Sequence, residues 1–175
     1  GYPRGRGFPR VEFWISGKDV ALRSLAQAIQ GMLKQHLGIQ VDLQLQEGTV
    51  FMTNLYQHAI PMGISAFQSD YPDPHNLLAM VWHSQPVGHG RHAWRNPTFD
   101  ALVDGADHEM DQEARMNKYA EAERLLADDV GGAFLFHTVL AQLRKPNIKG
   151  FATTKSGHQP FFWNHITHTR LYVGN

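Results

Sequence analysis

The sequence predicts an α/β layered domain, a mixed β-sheet flanked by helices, and three observations near its start predict it. Residues 11–15 (Val-Glu-Phe-Trp-Ile) form a short apolar run that reads as a largely buried strand. Residues 20–37 then carry Leu22, Leu25, Ala26, Ile29, Met32 and Leu33 at offsets 0, 3, 4, 7, 10 and 11, one face of a helix at 3.6 residues per turn. Residues 40–46 alternate, with Val41, Leu43 and Leu45 on one side and Gln40, Asp42, Gln44 and Gln46 on the other, as in a strand with one wetter face. Strand, helix and strand in that order indicate a right-handed βαβ unit.

The opening Gly1-Tyr2-Pro3-Arg4-Gly5-Arg6-Gly7-Phe8-Pro9 is too rich in Gly and Pro for a regular element. Asp19 can cap the first helix, and Lys34 and His36 suit the dipole of its last turn. Gly38 can end that helix in a left-handed conformation. A short helix is expected over 49–57, with Phe51, Met52 and Leu55 inward, and a third strand over 62–67. Two prolines then stiffen Ser69-Asp70-Tyr71-Pro72-Asp73-Pro74, and 76–82 reads as a short apolar helix. After an irregular stretch at 83–95, Asn96-Pro97 is a helix start, with Phe99, Leu102, Val103 and Ala106 as the apolar stripe. Asp111 can cap a further helix over 112–129, with Tyr119, Ala122 and Leu126 inward. Residues 133–137 and 140–143 read as strand segments, residues 145–151 as a turn-rich exit, and the tail after 151 has no clear period.

The 175 residues suffice for one domain, and 42% hydrophobic with 18% charged suits a globular chain. Lys plus Arg and Asp plus Glu each number 16, so there is no basic excess to neutralise phosphates, and nucleic acid is not an expected partner. Without cysteine there can be no disulfide, thiol nucleophile or thiolate metal site. No apolar run approaches a membrane span, and a chain that begins at Gly1 without Met reads as a piece of a longer protein.

Five stretches, in order, resemble one family. The Gly1–Pro9 opening is followed by a strand and a helix ending in Leu37-Gly38-Ile39. Then come Phe67-x-x-Asp70-Tyr71-Pro72-Asp73-Pro74-x-Asn76-x-Leu78 and Asn96-Pro97-x-Phe99-Asp100-x-Leu102. Arg115-x-x-x-Tyr119-x-Glu121-Ala122-Glu123-x-x-Leu126 and Lys145-Pro146-Asn147-Ile148-Lys149-Gly150-Phe151 complete the set. Together they resemble the carboxyl-terminal lobe of the bacterial extracellular solute-binding proteins of family 5, the dipeptide- and oligopeptide-binding proteins of ABC importers. The resemblance implies a type II periplasmic-binding-protein fold whose two lobes close on a ligand at a hinge. On this reading residues 1–175 are a single domain, the second lobe, with the tail 152–175 returning toward the missing amino-terminal lobe. It also implies a periplasmic protein, or an extracytoplasmic one held by a lipid anchor, that captures a peptide or similar small solute with a cationic amino end. Its partners would be that ligand and the membrane permease subunits, and it would need no cofactor.

Asp70 is the leading ligand-binding candidate. It follows a predicted strand end, where open α/β sheets meet ligands. The resemblance implies that it pairs with a peptide α-ammonium, and the alternative is a cap on a turn or on the 76–82 helix. Ser69 adjoins it. Phe67 matches a position often held by Trp in the family and would pack on ligand side chains, or else face the core. Trp94, just before the Asn96-Pro97 start, is a candidate for the cleft rim or a packed loop anchor. Gly90 stands where the family commonly has Asn, and strand 62–67 lacks the arginine with which larger peptide binders grip a carboxylate.

Among 11 histidines, His89/His92 and His165/His168 have His-x-x-His spacing, but neither pair sits in a helical pattern, so no metal site is expected. A nickel- or haem-uptake member of the family, or a ligand-sensing regulatory domain, is the alternative. Ser65 and Ser69 lack a nucleophile elbow, and Asp70 with Asp73 in a rigid turn reads as structural rather than as an acid/base pair, so no catalytic residue and no enzyme activity are expected.

Overall fold

A computed structural model describes residues 1–17, 20–67, 69–84, 92–137, 143, 145–150 and 172–173. By contacts the chain divides into two compact units. The first comprises Gly1–Ser69 and Asp73–Gly131, the second Asp70–Pro72 and Gly132–Asn175.

The first unit begins with the βαβ arrangement. Strand β1 (Val11–Ser16) pairs in parallel with β2 (Val41–Gln46), Val11 opposite Val41 and Ser16 opposite Gln46. Helix α1 (Val20–Met32) crosses between them and continues as a wider turn of helix, Leu33–Leu37. Period-2 geometry turns Phe13 and Ile15 to the same face, where they are buried with Ala26 and Val41; Leu22, Ile29 and Leu33 pack around them. Gly38 ends the helix at φ 70°. A side chain there would strike the carbonyl of Arg4, and one on Gly5 would strike Gly38, so the close approach of the amino-terminal turn Pro3–Gly5 requires both glycines. The expected cap Asp19 lies outside the described residues.

Helix α2 (Gly48–Tyr56) starts at Glu47, whose carboxylate accepts the N–H groups of Thr49 and Val50, and buries Phe51 and Leu55. The expected third strand over 62–67 is smaller than predicted. Trp14 N–H donates to Met62 O at 2.8 Å and Ile64 N–H to Trp14 O at 3.3 Å, a single parallel bridge at Gly63. The chain leaves the ladder after that bridge, and Ser65 and Ala66 are exposed. Pairing therefore runs 62–64, β1, β2, all parallel, with β1 in the middle.

The second core of this unit is helical. Asp73 caps α3 (Pro74–Leu77), which runs on as a wider turn, Leu78–Trp82. Asn96 caps α4 (Pro97–Asp107) by accepting from the N–H groups of Thr98 and Phe99, and Asp111 caps α5 (Gln112–Asp128) by accepting from Ala114 N–H. Lys118 bridges the hairpin between them, donating to Gly105 O and Glu109 Oε2. Leu78, Phe99, Val103, Ala106, Tyr119, Ala122 and Leu126 form the buried cluster.

In the second unit, β3 (Ile148–Lys149) pairs antiparallel with β4 (Tyr172–Val173). Residues 133–137 are irregular rather than a strand, and Leu135 and Phe136 are exposed. Most of the 140–143 segment lies outside the described residues.

Phe99 is fully buried at the centre of the α4–α5 cluster. Phe99→Ala is expected to cost about 3–5 kcal/mol from lost transfer energy and a residual cavity, against about 1–2 kcal/mol for Asn96→Ala, which removes the cap and an exposed bond to Asp129. Urea unfolding at neutral pH measures both; equal costs would contradict this ranking.

Candidate functional site

In a parallel sheet the carboxyl ends of all strands share one edge. Ser16, Gln46 and the exit of the 62–64 segment therefore lie at the same end. Phe67, half-buried, and Ser69, exposed, follow directly on that exit. Asp70 comes next in the chain and is exposed. This end is where the crevice of an open α/β sheet lies. A hollow of about 310 Å³ lined by Arg10, Gln30, Lys34 and Asp42 belongs to the opposite, amino end, where Arg10 pairs with Asp42 at 2.6 Å. It is not part of the candidate site.

Trp94 sits elsewhere, in the helical cluster. Its indole N–H donates to Asp129 Oδ2 at 2.8 Å, and its ring lies edge-on to Phe99 at 5.1 Å and to Trp82 at 6.2 Å. Asn96 Nδ2 donates to the same Asp129 oxygen at 3.1 Å. These contacts make Trp94 an anchor between the loop before α4 and the end of α5. His92 stacks on Trp82 at 4.6 Å and its Nε2 bonds Val81 O at 2.7 Å. His89, the other member of its His-x-x-His pair, lies outside the described residues, as do His165 and His168. Among the described residues no cluster of three or more His, Asp or Glu side chains could hold a metal ion.

The strongest polar arrangement is one that the sequence reading missed. Asp73 receives the Arg115 guanidinium through two bonds, Nη2 to Oδ1 at 2.7 Å and Nη1 to Oδ2 at 2.9 Å. Oδ1 also accepts the His75 N–H at 2.9 Å, which caps α3. Arg115 Nη2 reaches the Tyr119 hydroxyl at 3.4 Å, and that hydroxyl donates to Asp107 Oδ1 at 2.6 Å. Asp107 Oδ2 lies 3.3 Å from His75 Nε2, which closes the circuit. The circuit joins α3, the end of α4 and the first turns of α5. An arginine near the start of a helix opposes the dipole, and a carboxylate in bidentate contact offsets that cost. Asp73 and Arg115 both carry family-like motif positions, but a pairing across 42 residues is not encoded in any local pattern.

The guanidinium holds the Asp73 carboxyl below the usual carboxylate range, against a smaller upward push from burial. Asp73 in turn raises the Arg115 pKa. Burial and the bond to Asp107 push the Tyr119 phenol up. Burial lowers the His92 pKa below its ordinary 6.5.

A sequence model of the bacterial extracellular solute-binding proteins, family 5 (middle region), matches residues 1–89. The oligopeptide-binding protein OppA of Bacillus subtilis (strain 168) is 26% identical over 161 residues, which cover 92% of this chain and 29% of that protein. The periplasmic oligopeptide-binding protein OppA of Salmonella typhimurium is 28% identical over 129 residues, covering 74% of this chain and 23% of that one. The chain thus spans about a quarter of the length of these curated relatives. Among solved structures, Haemophilus influenzae OppA in complex with the peptide RPPGFSPFR superposes with a TM-score of 0.78 at 22% identity, over 100% of this chain and 33% of that one. The pheromone receptor PrgZ gives a TM-score of 0.66 at 26% identity, over 82% of this chain and 27% of that one.

Two pH windows follow. A depressed carboxyl contributes stability that is complete above about pH 4, the unfolded Asp value, and is lost as pH falls through the folded value below it. For His92 the unfolded chain binds more protons below about pH 6.5, so stability falls as pH drops from there. Urea unfolding of the chain between pH 3 and 7.5 should show both losses. Asp73→Asn is expected to flatten the acid window and His92→Phe, which keeps the ring stack, the upper one. Unaltered slopes in either variant would contradict the corresponding assignment.

Proposed function

Because this chain belongs to the bacterial extracellular solute-binding proteins of family 5, we propose that it is the second lobe of a binding protein that captures peptides outside the cytoplasmic membrane and delivers them to the permease subunits of an ABC importer. The fold is that of the type II periplasmic binding proteins. Family and relatives are binding proteins; on this reading the chain captures and releases its ligand without covalent chemistry. No helix among the described residues is long and apolar enough to cross a membrane.

The observation that carries the proposal is the path of the chain at the carboxyl edge of the sheet. There Phe67 and Ser69 leave the 62–64 segment and lead into the acidic Asp70. We assign Asp70 as the partner of a peptide α-ammonium, with Ser69 as a neighbouring hydrogen-bonding group and Phe67 as an aromatic surface for a ligand side chain. Trp94, the fourth expected ligand contact, packs on Phe99 and Trp82 in the helical cluster, and we assign it no direct ligand contact. Closure of a second lobe would exclude water, and an ammonium buried that way requires a fixed anion. Removing one partner of such a pair costs about 2–5 kcal/mol, much of it the penalty for stranding the other charge.

Calorimetry of the full-length protein with a panel of alanine di- to pentapeptides tests this. Asp70→Ala is expected to weaken the tightest of them at least about tenfold and to leave the N-acetylated form unaffected. Unchanged affinity for the free-amine peptide would remove the assignment, and no saturable binding of any panel member by the wild type would count against a peptide ligand.

A further inference from the structure

We infer that the first unit carries a second ligand site, at the amino end of its sheet, for a small solute bearing a carboxylate or phosphate oxyanion. The inference does not rest on the Asp70 assignment. It rests on the hollow at the opposite end of the sheet, whose lining belongs wholly to the first unit.

The hollow lies between α1 and the start of β2. Gln27, Gln30, Gly31 and Lys34, at offsets 0, 3, 4 and 7, share one helical face and form one wall. Residues 39–42 form the other, and Arg10 completes the lining. A volume of about 310 Å³ is at the lower end of small-molecule sites, roughly 300–1,000 Å³.

Charge gives the hollow its chemistry. The whole chain is formally neutral, but this end is cationic. The turn Pro3–Gly5 lies against Gly38, so Arg4 and Arg6 join Arg10 and Lys34 here. The carboxylates at this end are Glu12 and Asp42, and both are engaged. Glu12 Oε2 accepts the Trp14 indole N–H at 2.9 Å, and Asp42 Oδ1 accepts from Arg10 Nη2 at 2.6 Å. A guanidinium has five N–H donors, so that one bond orients Arg10 and leaves donors over. Lys34 pairs with no carboxylate among the described residues. The carbonyls of Leu33 and Lys34, which would repel an anion, are taken by the N–H groups of Ile39 and Gly38 at 3.1 Å each. A concave surface in a field of one sign concentrates ions of the other.

Two further features suit a ligand. Gln30 Nε2 donates to Val41 O at 2.7 Å, which fixes that carboxamide and leaves its oxygen and second N–H for another partner. Gly31 is inside a helix, where glycine is destabilising relative to alanine. A Cβ built there meets nothing within 4 Å, so packing within the first unit does not require the glycine. Close approach of a ligand to the helix backbone does require it.

Calorimetry of the full-length protein with citrate and with glycerol 3-phosphate tests this, with glycerol and choline as neutral and cationic controls. Saturable one-site binding of at least one of the two anions is expected, weakening as salt is raised, with none for the controls. The tighter anion identifies the oxyanion as carboxylate or phosphate. Lys34→Gln is expected to weaken binding at least about threefold. Gly31→Leu, whose side chain enters the open space, is expected to weaken it at least about tenfold. Should Gly31→Leu not fold, Lys34→Gln decides alone. No saturable binding of either anion, equal binding of glycerol, or full affinity in either folded variant would overturn the inference.

Discussion

The pair between Asp73 and Arg115 is the constraint on which the helical half of the first unit depends. It joins the Pro72-Asp73-Pro74 corner to a hairpin more than forty residues away. Its energy is not its main contribution. With side chains 19% and 31% exposed, the pair is neither deeply buried nor fully wet. An exposed pair contributes about 0–1 kcal/mol, and desolvation offsets much of the Coulomb gain as burial increases. What the fork provides is geometry. The two bonds to Asp73, the cap on α3 and the Tyr119–Asp107–His75 circuit each limit the others, and networks of this kind rigidify beyond their pairwise sum. The apolar cluster around Phe99 and Tyr119 supplies the stability, and the polar circuit sets the position of the corner.

What was legible in the sequence is what local chemistry dictates. The apolar stripe of α1, the alternation of β2, the Asn96-Pro97 start, the Asp111 cap and the left-handed Gly38 each depend on residues within one or two turns of one another. The miss at 62–67 has a physical cause. Met-Gly-Ile-Ser-Ala-Phe has strand-like composition, but a strand exists only where a neighbour pairs with it, and β1 pairs this segment only around Gly63. The same holds for 133–137, apolar in composition and irregular in structure. Asp73 read as a structural turn residue, which it is; that Arg115 holds it could not be read, because nothing in a single sequence reports a contact between positions 73 and 115. Trp94 could be read as either rim or anchor from sequence, and its hydrogen bond to Asp129 with its edge contact to Phe99 accounts for it as an anchor. The residues proposed to meet the ligand were legible only through family likeness, since an acidic residue after a strand is common and carries no specificity by itself.

The division of labour that results is simple in physical terms. A parallel pair with a third bridged segment gives a carboxyl edge, a separate helical cluster is clamped at the Asp73 corner, and the residues proposed to meet a cationic end lie between the two in the chain. On the proposed reading, affinity and choice of ligand arise when a second lobe closes and removes water; this chain spans about a quarter of its relatives.

The most direct measurement of this account is a crystal structure of the full-length protein closed on an alanine oligopeptide. The account predicts an Asp70 carboxylate oxygen about 2.7–2.9 Å from the peptide's terminal nitrogen. A closed, occupied cleft in which that nitrogen is met by other groups, with the Asp70 side chain directed away from the peptide, would contradict it.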